Sequence, residues 1–255
     1  MKPKALVLQA HGSNRDLDVI EALTLAGADA IGIPLNELRS NRTLLSDLQL
    51  LVIPGGFSYA DALGAGKLLA LDLTSYFVNE IAAFVESGKP VIGICNGFQA
   101  LVKSGILPGG HEGATLTFNA RGHFECRWVT LQPVSQTCIW TRGLDEFIEC
   151  PIAHGEGNFQ TSERFPLSGF IQNNQIALAY IGADGSPAHG EYPVNPNGSV
   201  LDIAGICNPE GNVLGLMPHP ENHIYPYQYP QRTRGMSRHS GLALFKNGVN
   251  YAKET

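Results

Sequence analysis

Val91-Ile92-Gly93-Ile94-Cys95-Asn96-Gly97-Phe98-Gln99-Ala100-Leu101-Val102 joins a run of branched apolar residues to a helical pattern through a cysteine. Val91, Ile92 and Ile94 are β-branched and suit a buried strand. The apolar positions from Phe98 to Val102 suit a helix. Between them Gly93-Ile94-Cys95-Asn96-Gly97 is the thiol version of G-x-S-x-G, the elbow that lifts a nucleophile between strand and helix. The two glycines are expected to let the backbone turn sharply and to leave room for a substrate. A thiol at a helix N-terminus feels unpaired N–H groups and the positive dipole end, which favour thiolate. A lone cysteine is more often a buried structural residue. The paired glycines turn the reading toward a reactive thiol.

Outward from this elbow, strands and helices alternate. Ala5–Leu8 reads as a strand, followed by a turn at Gly12–Asp16 and helical spacing through Val19, Leu23 and Ala26 that ends at Gly27. Ala30–Ile33 and Leu50–Ile53 are further strands, and a helix is predicted over Ser75–Glu86. Such alternation implies an α/β fold with a doubly wound, mostly parallel sheet, whose ligands bind beyond the carboxyl ends of the strands. Pro54-Gly55-Gly56 and Cys95 both follow strands and are placed on one rim.

The second half reads differently. Ala114–Phe118 and Phe124–Leu131 are extended segments around Asn119–Gly122, predicted as a hairpin. Gln175–Ile181, Leu201–Cys207 and Val213–Met217 are strands, the last two flanking the turn Asn208-Pro209-Glu210-Gly211-Asn212. Added antiparallel structure is therefore expected there. The Tyr225–Ser240 stretch reads as surface loop, and Leu242–Tyr251 as a last amphipathic helix. One domain over residues 1–255 is expected.

Composition narrows the function classes. Of 255 residues, 44% are hydrophobic and 16% charged, which fits a globular chain. A net charge of −6 argues against a mainly electrostatic nucleic-acid binder. No apolar run approaches the roughly 20 residues of a membrane helix, and the first strand is too short for a signal peptide. Five cysteines without a C-x-x-C pair fit a reducing cytoplasm with neither disulfides nor a zinc ribbon.

A thiol nucleophile needs a base, and the base needs orienting. Among eight histidines, His219 in Pro218-His219-Pro220-Glu221 is the best candidate. An extended backbone before Pro220 sends positions 219 and 221 the same way, so Glu221 can hold one imidazole nitrogen. For the oxyanion, the backbone N–H of Asn96 and that of Gly56, after the Leu51–Ile53 run, are the candidate donors. Gly64-Ala65-Gly66-Lys67 suggests a phosphate loop but fails the pattern, which needs Gly at Asp61 and Ser or Thr at Leu68. Lys67 is read as a structural or interface residue.

Together, Gly93–Gln99 and His219-Pro220-Glu221 resemble the Cys-His-Glu signature of the class I glutamine amidotransferases, flavodoxin-like α/β enzymes. Several further blocks resemble one branch, the glutaminase subunits of phosphoribosylformylglycinamidine synthases in purine biosynthesis. They are Pro54–Asp61, Leu63–Lys67, Leu116–Asn119, Phe124–Val129, Pro151–Gly157 and Gly215–Glu221. His11, Ser13 and Arg15 depart from that branch's pattern, and Asn222–Ser240 is longer than in compact members.

The resemblance implies hydrolysis of L-glutamine to glutamate and ammonia, with Cys95, His219 and Glu221 catalytic and Gln99 helping to hold the substrate; Gly55 and Asn119 are further candidate substrate contacts, Asn119 lining either the glutamine pocket or the interface. It implies no cofactor or metal in this chain, with ATP and Mg in a synthetase subunit, and leaves room for a small accessory subunit. His154 and Glu156 stand as a second acid/base pair or as loop and interface residues. A class I glutaminase of another pathway and an inactive assembly module remain as alternatives.

Overall fold

The computed structural model describes residues 1–109, 113–162, 166–234 and 239–254. Its first half is the expected alternation: β1 (Lys4–Gln9), α1 (Asp16–Ala26), β2 (Asp29–Pro34), α2 (Leu35–Ser40), β3 (Leu50–Ile53), α3 (Lys67–Tyr76), α4 (Val78–Glu86), β4 (Val91–Ile94) and α5 (Asn96–Lys103). α1 stops where Gly27 turns left-handed at φ 101°, its N–H capping the carbonyls of Leu23 and Thr24. The second half adds β5 (Ala114–Thr117), β6 (Glu125–Pro133), β7 (Ile148–His154), β8 (Asn158–Thr161), α6 (Leu167–Gln172), β9 (Ile176–Ile181), β10 (Ile203–Cys207), β11 (Val213–Leu216) and α7 (Leu242–Ala252).

Among the described residues, nine strands form one sheet in the order β2-β1-β3-β4-β11-β10-β9-β6-β7. The first five are mutually parallel, and the rest continue antiparallel. Strands β3, β4, β10 and β11 are buried at every position, which is why they read as unbroken apolar runs. β4 and β11 pair in the register Ile92↔Leu214 and Ile94↔Leu216. Cys95 and the His219 loop therefore leave adjacent strands at the same end of the sheet.

Three expectations are corrected. The helix predicted over Ser75–Glu86 is two, α3 and α4, bent by 86° at buried Phe77, and α3 begins eight residues earlier. Phe77 leaves helical geometry at φ −130°, its side chain fully buried and its N–H closing α3 on the Leu73 carbonyl. No single helix among the described residues is long and apolar enough to cross a membrane. The hairpin around Asn119–Gly122 does not form, although Gly122 N–H does donate to the Asn119 carbonyl across a turn (2.8 Å). β5 pairs instead with β8, while β6 lies between β7 and β9 in the large sheet. The turn connects two sheets.

The third concerns Tyr225–Ser240, of which residues 235–238 lie outside the described residues. Pro226, Tyr227 and residues 230–233 lie at the surface as expected, but one residue between them does not. Tyr229 is buried, stacks on buried His223 and meets Trp128 edge-on at 5.2 Å. Its hydroxyl donates to the Glu149 carboxylate at 2.9 Å. Aromatic area and one satisfied hydroxyl hold the strap down.

The elbow itself differs from the expected reason for its glycines. Cys95 takes the left-handed turn, at φ 49° and ψ −104°, whereas Gly93 and Gly97 serve close packing. A Cβ on Gly97 would sit 1.9 Å from the Ile53 carbonyl oxygen, and one on Gly93 2.8 Å from the Gly97 carbonyl oxygen. Neither contact is with a flexible side-chain end, so the backbone itself would have to move. Gly97→Ala is expected to cost at least about 3 kcal/mol, the upper range for overpacking. Urea unfolding of the purified variant measures it, and a loss under 1 kcal/mol would contradict this packing.

Candidate active site

Cys95 owes its position to three elements at once. Its N–H donates to Leu216 at the end of β11 (2.7 Å), and its carbonyl accepts from Gln99 in the first turn of α5 (3.0 Å). Its thiol lies 3.8 Å from the Ala153 carbonyl oxygen on β7. A left-handed non-glycine residue costs on the order of 1–3 kcal/mol and persists only where its surroundings hold it. Here they do.

His219 comes from the loop after β11, and its N–H donates to the Pro151 carbonyl of β7 (2.8 Å). Its ring is buried, and Nδ1 lies 2.7 Å from Glu221 Oε1. An ionised carboxylate only accepts, so Nδ1–H is the donor and Nε2 is the nitrogen left for chemistry. The ring and the nucleophile meet over Gly55, where a Cβ would lie 2.7 Å from His219 Cε1 and 3.4 Å from Cys95 Cβ. Any side chain at 55 would displace the base. Burial alone would lower the His219 pKa, but the Glu221 carboxylate, the charge of Cys95 and hydrogen bonds to both outweigh it, and the value is pushed up to about 10. The imidazole is thus held protonated beside the Cys95 sulfur.

Gly56 and Asn96 flank the same space. Gly56 has φ 133°, which favours glycine, and its loop is pinned to the segment after β1. The pin is made by Phe57 N–H to the Gly12 carbonyl (3.2 Å) and Tyr59 N–H to that of His11 (2.7 Å). Because these hydrogen bonds are made by the backbone, His11, Ser13 and Arg15 can depart from the expected pattern without breaking them, and the His11 ring adds an edge-on contact with Tyr59 at 6.2 Å. Asn96 opens α5, so its N–H has no acceptor within the helix. A pocket of about 160 Å³ runs from Gly56 and Cys95 past Gln99, Asp61, His154 and Glu156. A larger hollow elsewhere holds none of these residues, and an adjoining groove shares Phe118 and Glu156 with the pocket but reaches neither Cys95 nor Gln99.

The sequence matches the CobB/CobQ-like glutamine amidotransferase domain over residues 2–252. The chain belongs to the glutamine amidotransferases. It is 53% identical to the phosphoribosylformylglycinamidine synthase subunit PurQ of Treponema denticola, over 98% of this chain and 99% of that one. It is 36% identical to the same subunit of Methanococcus maripaludis, over 98% and 97%. Among solved structures it is similar to PurLQS from Thermotoga maritima, with TM-score 0.74 and 33% identity over 98% and 99% of the two chains. Within the amidotransferases it therefore falls in the PurQ family.

In this amidotransferase the remaining candidates separate. Gln99 lines the pocket, accepts from Asn96 Nδ2 (3.0 Å) and donates to the Glu156 carbonyl (2.6 Å). Asn119 is not among the residues that line the pocket. Its Nδ2 donates to the carbonyls of His123 and His154, both at 2.9 Å. Its Oδ1 accepts from Gly157 N–H (3.0 Å) and from His154 Nδ1 (3.1 Å). The amide is fully used as a bracket for the loop after β7.

Sequence reasoning missed the carbonyls of Pro151 and Ala153, since a backbone oxygen leaves no signature in residue type. It also missed Asp61 and Ser58, which grip the Asn96 side chain. Among the described residues no cluster of His, Cys, Asp and Glu is arranged for a metal ion.

His154 lies next to this centre and is buried, with Nε2 lacking any hydrogen-bond partner. Burial, with the charge of His219 adding, pushes its pKa down to about 3. The folded chain therefore excludes a proton that the unfolded chain binds below about pH 6.5. Stability must fall as pH drops from about 6.5 toward 3, by up to about 1.4 kcal/mol per pH unit from this one site. His154→Gln is expected to flatten the acid limb of unfolding free energy against pH by that slope. An unchanged limb would show that His154 takes up its proton in the folded state.

Proposed function

We propose that Cys95, His219 and Glu221 hydrolyse L-glutamine to glutamate and ammonia. The chain is a glutamine amidotransferase subunit of a phosphoribosylformylglycinamidine synthase, the purine-pathway enzyme that makes formylglycinamidine ribonucleotide from formylglycinamide ribonucleotide with ATP. The observation that carries the mechanism is the approach of buried His219 and Cys95 over Gly55, with Glu221 fixing the ring.

The Cys95 thiolate attacks the carboxamide carbon, and the carbonyl electrons move to oxygen. N–H groups of Gly56 and Asn96 hold that oxyanion, each worth on the order of 3 kcal/mol in the barrier. His219 gives its proton to the amide nitrogen, the C–N bond breaks, and ammonia leaves a glutamyl thioester. His219 then takes a proton from water, whose hydroxide attacks the thioester carbon. Glutamate departs and the thiolate returns. Glu221 stays ionised and keeps the ring in one tautomer.

Ammonia must meet its acceptor before water protonates it, so the reading includes a synthetase subunit docked over the pocket, with room for a small accessory subunit. Phe57, Phe118 and Phe124 line the pocket yet are exposed, and Leu63 and Leu71 lie exposed along the adjoining groove with Lys67 and Phe118. A monomer has little reason to leave so many large apolar residues around one opening, which supports a partner there. This chain is proposed to need no cofactor of its own, ATP and Mg acting in the synthetase, and to work in the cytoplasm.

Cys95→Ala and His219→Ala are expected to lower glutamine-dependent amidine formation by at least about a thousandfold, near the cost of losing a triad member. Activity with free ammonium salts should be kept in the assembled enzyme. Glutamine-supported turnover by the Cys95 variant would remove that residue from the nucleophile's role.

A further inference from the structure

Water that breaks a glutamyl thioester carries a pair of O–H groups, and the catalytic set accounts for one of them. The oxygen attacks through a lone pair while a base, here His219, removes one proton. Water held in a protein interior makes about three hydrogen bonds. The other O–H therefore needs an acceptor too, because a polar group left unpaired under cover costs free energy.

Four buried side-chain atoms have no hydrogen-bond partner among the described residues: Glu149 Oε2, His154 Nε2, Glu221 Oε2 and His223 Nε2. Of these residues His154 alone lines the pocket with Cys95 and Gln99, and it is 3% exposed. Asn119 sets its tautomer. Asn119 Nδ2 donates to two carbonyls and Oδ1 accepts from Gly157 N–H, so a carbonyl oxygen faces His154 Nδ1 at 3.1 Å. Nδ1 carries the hydrogen, and Nε2 presents a lone pair. The backbone places the ring beside the nucleophile. β7 brings the Ala153 carbonyl to 3.8 Å from the Cys95 sulfur, and His154 is the next residue. Gly157 leaves the ring its place, since a Cβ there would lie 2.8 Å from Nε2. His219 stands close enough for its charge to help keep His154 neutral. Such an acceptor holds a hydrogen without taking the proton.

We infer that His154 Nε2 accepts the second hydrogen of the water that resolves the glutamyl thioester, which makes His154 a further catalytic residue for deacylation. The inference rests on the glutaminase reading of Cys95, His219 and Glu221. In this step the water oxygen bonds to the thioester carbon as one proton passes to His219 Nε2. The other hydrogen stays on that oxygen, held by His154. The C–S bond then breaks, its electron pair returns to sulfur as thiolate, and the new carboxyl group releases its proton to solvent. Acylation consumes no water and makes no such demand. The two halves of the reaction therefore depend on this ring unequally.

Single-turnover kinetics on the enzyme assembled with its synthetase subunit separate those halves. Ammonia release times acylation, glutamate release times deacylation, and acid quenching traps the glutamyl adduct on Cys95 for mass measurement. His154→Asn keeps a donor for Asn119 and removes the acceptor at Nε2. It is expected to slow thioester breakdown at least tenfold relative to thioester formation. The adduct should then accumulate, and kcat should fall further than kcat/KM for glutamine. Slowing of both halves by one factor leaves His154 a structural role and overturns the inference. Breakdown within twofold of wild type does the same. If His154→Asn does not fold, Gly157→Ala displaces the ring with residue 154 unchanged, and the same outcomes decide. A wild-type Cys95 that a glutamine-analogue alkylator leaves unlabelled marks instead a failure of the glutaminase reading.

Discussion

Parallel pairing of β4 with β11 in one register is the constraint on which the site depends. Ile94 lies beside Leu216, so the next residue of one strand and the loop of the other emerge together. Side chains alternate along a strand, and a slip of one residue would exchange the side chains packed against the two covered faces of the sheet. Both strands are buried at every position, which makes such a slip costly and the register firm. The Cys95 N–H to Leu216 carbonyl bond then extends the ladder one step past β4 and fixes the nucleophile's backbone. The encounter of sulfur and imidazole is set by core packing rather than by any local motif.

Around that encounter the chain tolerates locally unfavourable arrangements. Cys95 and the Tyr59–Asp61 run are left-handed without being glycine, and His219 and Glu221 are charged groups under cover. Each is costly alone and survives because neighbours over-determine it. Gly93 and Gly97 let α5 close onto β3 and β4, while Gly55 leaves the ring its place. Polar groups are satisfied in a chain from Ser58 through Asn96 to Asp61 and Gln99. Rigid support of this kind is what holds reacting groups in place before substrate arrives.

Much of this was legible in the residues. β3 and β4 have the predicted bounds, because short, fully buried strands are continuous apolar runs. The elbow and the His-x-Glu pair were readable because their chemistry demands particular residue types at fixed spacing. β7 was not readable, since Pro151 in its middle argues against a strand; the strand lies at the sheet edge, where proline is tolerated. α3 was hidden because its Leu-rich run has no polar face to set a period. The Asn119–Gly122 turn was recognised, but which strands its neighbours pair with is decided by burial far away in sequence. Asn119 has the residue type of a ligand contact, and only the positions of its four partners show a bracket instead.

β7 is also an edge, and a bare strand edge invites pairing with another molecule. Along its outer side the Glu149 N–H is taken by the His239 carbonyl, the Pro151 oxygen by His219, and the Ala153 oxygen faces Cys95. Pro151 itself has no N–H to offer. Those contacts that aim the catalytic groups therefore also close off a template for sheet extension. Guarding against self-association and assembling the reaction centre are here one set of bonds, so a change that loosens the centre exposes a sticky border as well.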